Sequence, residues 1–239
     1  MIAIEVAAVL FLATVIRSAF GFGEALVAVP LLALAIPVEV AAPVAVLASI
    51  TVALIVVVQD WRSIHIRSAV WLVVPTLFGI PIGLIVLKTV PEAVVKAVLA
   101  AVIIAFSVWS LTPRAHFHLE NDRLAGFFGF LAGILGGAYG MNGPPLAMYG
   151  SLRQWPPANF RATLQGYFLP ASLAGMAGYW MAGLWTPVVS RFYLLSLPGM
   201  LLGIYLGRLM NRRMKAKQFV LYVHAGLIAI GLVLLIQST

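Results

Sequence analysis

The sequence predicts an all-α polytopic membrane protein built of two inverted repeats, each a broken, re-entrant helix hairpin followed by three transmembrane helices. Three observations predict it: an apolar composition, a series of apolar segments of membrane-crossing length, and two glycine-rich breaks followed by the same landmarks. Of 239 residues, 63% are hydrophobic and 9% charged, and mean hydropathy is +1.07. A soluble domain is about 25% charged. Fifteen basic and seven acidic side chains cannot cover a water-facing globule of this length. A soluble enzyme and a nucleic-acid-binding domain are excluded, despite a net charge of +8.

The apolar segments fall at about 2–36, 38–59, 68–88, 92–111, 123–152, 162–183, 187–208 and 217–236. A helix needs about 20 apolar residues to cross a hydrocarbon core of about 30 Å, and most segments meet that length. Two do not behave as simple spans. The first, 2–36, is too long for one helix and is broken by Gly21-Phe22-Gly23-Glu24; the fifth, 123–152, is broken between Gly136 and Pro145. The pieces after the breaks are about 20 Å and 14 Å long as helix, too short to cross. Residues 2–19, about 27 Å as helix, form half of a hairpin or a full span. No hydrophilic stretch is long enough for a soluble domain, and the start of the chain lacks a basic n-region and a cleavage site for a removable signal peptide.

The two halves repeat the same landmarks. Phe20-Gly21-Phe22 aligns with Tyr139-Gly140-Met141 at an offset of 119. Trp61 aligns with Trp185, and Gly79-x-x-x-Gly83 with Gly203-x-x-x-Gly207, at an offset of 124. Pro75 and Pro198 precede those glycine pairs. One GxxxG pair is mostly a helix-packing device, but four features in the same order mark a repeat. The units are an N-terminal repeat at 1–111, a central cytoplasmic linker at 112–122 and a C-terminal repeat at 123–239.

Basic residues give the orientation. With hairpins that enter and leave on one side, the loops at 60–67, 112–123, 153–161 and 208–217 share a face and carry eleven Arg and Lys; the opposite face has Lys88, Lys96 and Arg191. Cytoplasmic loops hold the excess of basic residues, so that face is cytoplasmic. The loop at 60–67 and its mate at 184–191 then lie on opposite sides, which makes the halves inverted, a common transporter plan.

Non-helical backbone at membrane depth is tolerated where it is buried in protein or lines a wet cavity. Both breaks are therefore candidate sites: Phe20, Gly21, Phe22 and Gly23 in the first, and Tyr139, Gly140, Met141, Asn142, Gly143 and Pro144 in the second. The short helices after them aim free N–H groups and a positive dipole end into the cavity, a site for an anion. Arg17 lies one helical turn before the first break, and an intramembrane Arg is a functional-site hypothesis unless it only neutralises Glu24. Glu24 is a coupling or gating candidate. Arg161 and Gln165 open the helix after the second hairpin, Arg161 reaching the cavity or anchoring the loop to headgroups. Asn142 tolerates left-handed geometry and offers a side-chain N–H donor.

Other features read more plainly. Cysteine is absent, which excludes thiolate and Cys-metal chemistry. His116 and His118, near Glu120 and Asp122, read as linker rather than metal ligands; neither a metal nor a cofactor is expected. His224 reads as a satisfied buried histidine. No paired His/Asp set stands in the spans, so an intramembrane enzyme is the weakest alternative.

Several of these motifs resemble the sulfite exporter TauE/SafE family. They are Ser18-Ala19-Phe20-Gly21-Phe22-Gly23, Asp60-Trp61-Arg62, the run from Gly133 through Gly136-Gly137-Ala138-Tyr139-Gly140-Met141-Asn142-Gly143-Pro144-Pro145 to Leu146, Pro156-Pro157, and Phe160-Arg161-Ala162-Thr163. The resemblance spans essentially the whole chain. It implies a secondary transporter of sulfite, sulfonates or related organosulfur anions in a bacterial inner membrane. The family's first glycine run usually continues with glycine where Glu24 stands, and Asn142 replaces a common glycine. The implied partners are a small anionic substrate, the bilayer and protons as coupling ion, with a homodimer open. A passive anion channel is the alternative; dependence of flux on a pH gradient separates the two.

Overall fold

The computed structural model describes residues 2–60, 66–112, 119, 122–154, 157–211 and 216–238, with the side chains of 20, 59, 60, 66, 67, 157–161, 211, 216–223, 226 and 238 left out. Every regular element among them is helical. The first half contains α1 (Ile2–Phe20), α2 (Glu24–Ala33), α3 (Val38–Asp60), α4 (Ile66–Thr89) and α5 (Glu92–Leu111). The second contains α6 (Ala125–Tyr139), α7 (Gly143–Leu152), α8 (Pro157–Met181), α9 (Pro187–Asn211) and α10 (Ala216–Ser238). Proline sets several starts: Pro91 precedes α5 as its cap, Pro144 lies in the first turn of α7, and α8 and α9 begin on Pro157 and Pro187. Its fixed φ and missing N–H cost least there.

Five described helices are long and apolar enough to cross a membrane: Ile2–Ala19, Val38–Val58, Ser68–Thr89, Glu92–Leu111 and Pro187–Met210. Thus the first arm of the first hairpin reaches spanning length by itself. With 10 residues each, α2 and α7 span about 15 Å and do not. These short helices are also the most enclosed. Leu26, Val27, Ala28, Val29, Pro30, Leu32 and Ala33 of α2 are all buried, as are six apolar or glycine positions of α7 together with Tyr149. A helix that is apolar all round belongs inside. By contrast, α4 and α9 expose Trp71, Leu77, Phe78, Ile85, Leu194, Leu195, Leu202 and Tyr205. Faces of this size suit lipid rather than water.

The principal packings are α1 on α9, α4 on α6, α3 on α8 and α5 on α10. Two are backbone-to-backbone. A Cβ at Gly83 of α4 would fall 2.6 Å from Ala138 N and 2.9 Å from Gly137 Cα of α6. One at Gly207 of α9 would meet Val15 O and lie 3.2 Å from Ala19 N of α1. Both GxxxG pairs therefore work as small-residue seams that let helices approach where no hydrophobic force drives them together.

His224 is buried with Nδ1 3.3 Å from Ser107 Oγ, a satisfied histidine linking α10 to α5. His116, His118, Glu120, Trp61 and Trp155 lie outside the described residues, as do five of the eleven basic residues assigned to the cytoplasmic face and the side chains of Arg67, Arg161 and Lys217. Asp122, at the end of the linker, accepts a hydrogen bond from the Tyr149 hydroxyl and lies 3.4 Å from Arg153 Nε, so it is tied to α7.

Candidate functional site

Each break is built by glycine at positive φ. In the first, Gly21 (φ 87°) and Gly23 (φ 100°) turn the chain between α1 and α2. In the second, Gly140 (φ 64°) ends α6 in a left-handed αL cap, with Gly140 N donating to Gly136 O at 2.8 Å, and Met141 N donates to Leu135 O at 3.2 Å. The Tyr179 hydroxyl also donates to Gly136 O at 3.0 Å. The Leu135 and Gly136 carbonyls at the buried end of α6 are thereby satisfied within the protein.

The two breaks face one cavity. Its walls are Gly23, Glu24, Ala25 and Leu26 at the start of α2; Gly140, Asn142 and Gly143 at the turn from α6 into α7; Arg17 of α1, Ser49 of α3 and Phe168 of α8. Its volume is about 20 Å³, space for about one water and not for an anion with three oxygens.

Arg17 organises this wall. It is 3% exposed and Glu24 is 1% exposed. Arg17 Nη1 donates to Glu24 Oε2 at 2.6 Å and to Ser49 Oγ at 2.6 Å, and Nη2 donates to Gln165 Oε1 at 2.8 Å. Its guanidinium carbon stands 4.8 Å from the centre of the Phe168 ring, a cation–π geometry. Nε has no hydrogen-bond partner among the described residues. Glu24 also accepts from Thr14 Oγ1 at 3.3 Å. The Gln165 amide then bridges the halves, since Nε2 donates to Gly21 O at 2.6 Å. Of the two sequence readings of Arg17, the ion pair with Glu24 does form, yet Arg17 reaches α3 and α8 as well.

The sequence-predicted residues separate into groups. Arg17, Gly23, Glu24, Gly140, Asn142 and Gly143 line the cavity, and Gly21 and Gln165 are one hydrogen bond from Arg17 or from each other. Phe22 is half-buried, its ring 3.9 Å from where a Cβ on Gly143 would lie. Tyr139 turns away, donating to Val95 O at 3.0 Å, and Met141 is fully buried in the core. Pro144 is buried in the first turn of α7. The side chains of Phe20 and Arg161 lie outside the described residues.

Two expectations need correction. Asn142 adopts a right-handed conformation (φ −74°, ψ −16°), because Gly140 already makes the turn. Its amide is not a free donor: Nδ2 gives to Ala132 O at 3.2 Å and Tyr167 Oη at 3.3 Å. Tyr167 continues to Thr76 Oγ1 at 2.7 Å, so a chain of buried polar groups fixes the second break against α4 and α8. The two helix starts are also unequal. Four N–H groups begin a helix without intrahelical partners; prolines 144 and 145 remove two of them from α7, while α2 begins Gly23-Glu24-Ala25-Leu26 with all four. The donor-rich end belongs to α2.

Sequence reasoning missed Ser49, Phe168 and Ser172, the last 3.2 Å from Ser49 Oγ. Two signals were available. Gln165, Phe168 and Ser172 stand at i, i+3 and i+7, one face of α8, and Ser49 and Ser172 are 123 residues apart, within the range of the repeat offsets.

Asn142→Leu is expected to leave a folded protein that does not transport. Leucine is similar in size, but Ala132 O and the Tyr167 hydroxyl lose a donor inside the break. Flux assays beside a thermal melt check this; normal flux would place the working site elsewhere.

No curated protein and no solved structure matches the chain. Buried half-helices, lipid-suited outer faces and a charged cavity at the helix breaks describe a multi-pass membrane protein. Over residues 6–234 it matches the family described as Sulfite exporter TauE/SafE, and it belongs to that family of membrane transporters.

Proposed function

We propose that the protein is a secondary transporter of small sulfur-containing oxyanions (sulfite, a sulfonate or a related organosulfur anion), working by alternating access and driven by protons across a bacterial inner membrane. One observation carries this: two helix breaks from opposite halves of the chain meet at one buried cavity whose wall contains Arg17, its Nε without a partner among the described residues. Helix starts and a guanidinium are the groups that bind sulfur oxyanions, through oriented N–H donors and charge. Arg17, Phe20, Gly21, Phe22, Gly23, Tyr139, Gly140, Met141, Asn142, Gly143, Pro144, Arg161 and Gln165 are the proposed substrate site; Tyr139 and Met141 would act by shaping the second break.

Alternating access is supported by the packing. Repeats 1–111 and 123–239, joined by the linker 112–122, exchange partners: α1 packs on α9 as α6 packs on α4, while α3 meets α8 and α5 meets α10. Inverted halves that rock about a central site use this plan. The small cavity suits an occluded state, which favours a carrier over an open channel. The first test is sulfite flux into proteoliposomes of the purified protein, with and without an imposed pH gradient. Sulfite should concentrate against its own gradient. Downhill flux indifferent to the pH gradient would establish the channel instead.

A further inference from the structure

We infer that the Glu24 carboxylate is the resident occupant of the anion site in the empty protein, and that a substrate anion takes its place on Arg17 only when Glu24 accepts a proton. This rests on the transport reading above and adds its coupling rule, one proton with each monovalent anion.

The geometry carries the inference in three steps. First, Glu24 sits where a substrate anion would: at the donor-rich start of α2, one oxygen on Arg17 Nη1 at 2.6 Å and the other 3.3 Å from the Thr14 hydroxyl. An acidic side chain at a helix start is favoured by the same N–H groups and dipole that favour a ligand anion. Second, the cavity beside this carboxylate holds only about 20 Å³, so an oxyanion and an ionised Glu24 compete for one space as well as one cation. Arg17 Nε, buried and without a partner among the described residues, is the donor left over for an incoming oxygen.

Third, charge balance at membrane depth selects the sequence of events. An uncompensated charge inside a bilayer is costly. The empty site is neutral, with Arg17 positive and Glu24 negative. It is neutral again when Glu24 is protonated and a monoanion lies on Arg17. Anion without proton leaves one net negative charge, and proton without anion leaves one net positive charge. Both half-loaded states are disfavoured from moving, so neither ion leaks alone. No other group upsets this balance among the described residues. From α3, α7 and α8 the cavity region meets Ser49, Asn142, Gln165 and Ser172, all neutral. The remaining neighbours of α2, on α5 and α10, hold Lys96 paired to Glu92 at 3.2 Å and His224 beside Ser107, none of them in the cavity wall.

The test uses methanesulfonate, whose charge does not change through the acidic and neutral range as that of sulfite does. Its binding to the purified protein is measured against pH, and its uptake into proteoliposomes against imposed pH and voltage gradients. Wild-type affinity should fall about tenfold per pH unit on the alkaline side, where one proton must be taken up per anion. Glu24→Gln should bind with no pH dependence and more tightly than wild type at alkaline pH. It should retain anion counterflow while losing accumulation driven by a pH gradient. Wild-type uptake should ignore membrane voltage, because proton plus monoanion carries no charge. A Glu24→Gln protein with the wild-type pH slope would overturn the inference alone. So would voltage-driven wild-type uptake, which decides the matter even if the variant does not fold. No binding of methanesulfonate, sulfite or thiosulfate by wild type at any pH would overturn the transport reading itself.

Discussion

Replacing Arg17 with alanine is expected to reduce anion flux about 100-fold or more and to destabilise the protein at the same time. The two effects have different origins and can be separated. Arg17 is the cation of the cavity and touches α2, α3 and α8 through Glu24, Ser49 and Gln165. Losing a buried charge partner from a binding site costs about 2–5 kcal/mol, and about 1.4 kcal/mol is tenfold in binding. Removing it also strands Glu24, which is 1% exposed, and breaking a buried pair from one side costs about 3–5 kcal/mol. Arg17→Ala/Glu24→Gln should therefore recover most of the lost thermal stability and none of the flux. Arg17→Lys should fail as well, because one ammonium lacks the planar fork that serves three acceptors in different directions. The measurement is flux per folded protein, with melting temperature in detergent alongside. Recovery of flux in the double variant would remove Arg17 from the binding site.

The second large effect is structural. Gly83→Val is expected to prevent folding altogether, while Gly175→Ala should be neutral or mildly stabilising. At Gly83 an added Cβ would meet Ile134 O, Ala138 N at 2.6 Å and Gly137 Cα at 2.9 Å, all backbone. Backbone cannot rotate out of the way as a side chain can, so α4 and α6 must separate along the seam. Since α6 ends in the second break, that separation would also dismantle the cavity. At Gly175 nothing lies within 4 Å, and alanine gains roughly 0.5–1 kcal/mol of helix propensity. Size-exclusion profiles and thermal melts of the two purified variants give the comparison. A monodisperse, wild-type-like Gly83→Val protein would show that this seam is not a close contact.

Much of this is legible in the sequence alone, and for identifiable reasons. A residue that cannot be solvated in lipid must be explained, so Arg17 and Glu24 stood out against an apolar chain. Glycines 21, 23 and 140 were legible because only they cheaply supply the positive φ at which α1 and α6 end. Gln165 was found as a polar residue opening a helix. Ser49 was not, because one serine in an apolar span is unremarkable; only the match of its distance from Ser172 to the repeat offset distinguishes it. Tyr139 is a site candidate by its place in the second break, but that place does not fix where a side chain points, and its hydroxyl meets the Val95 carbonyl instead. Asn142 illustrates the same limit. Its hydrogen-bonding capacity is a property of the residue, whereas its use depends on Ala132 and Tyr167 lying within reach.

The sequence by itself determined the solvent, the helical class, the positions of both breaks and the chemistry available at them, because each follows from local properties: hydropathy over a window, backbone freedom at glycine, and the presence of charge in an apolar run. Only the tertiary structure decided that the breaks share one cavity, that Arg17 is held by Glu24 instead of standing free, and that the donors of Asn142 are already spent. Those facts depend on which groups from distant parts of the chain come within hydrogen-bond distance, and a bond between residues 17 and 165 has no signature in the neighbourhood of either.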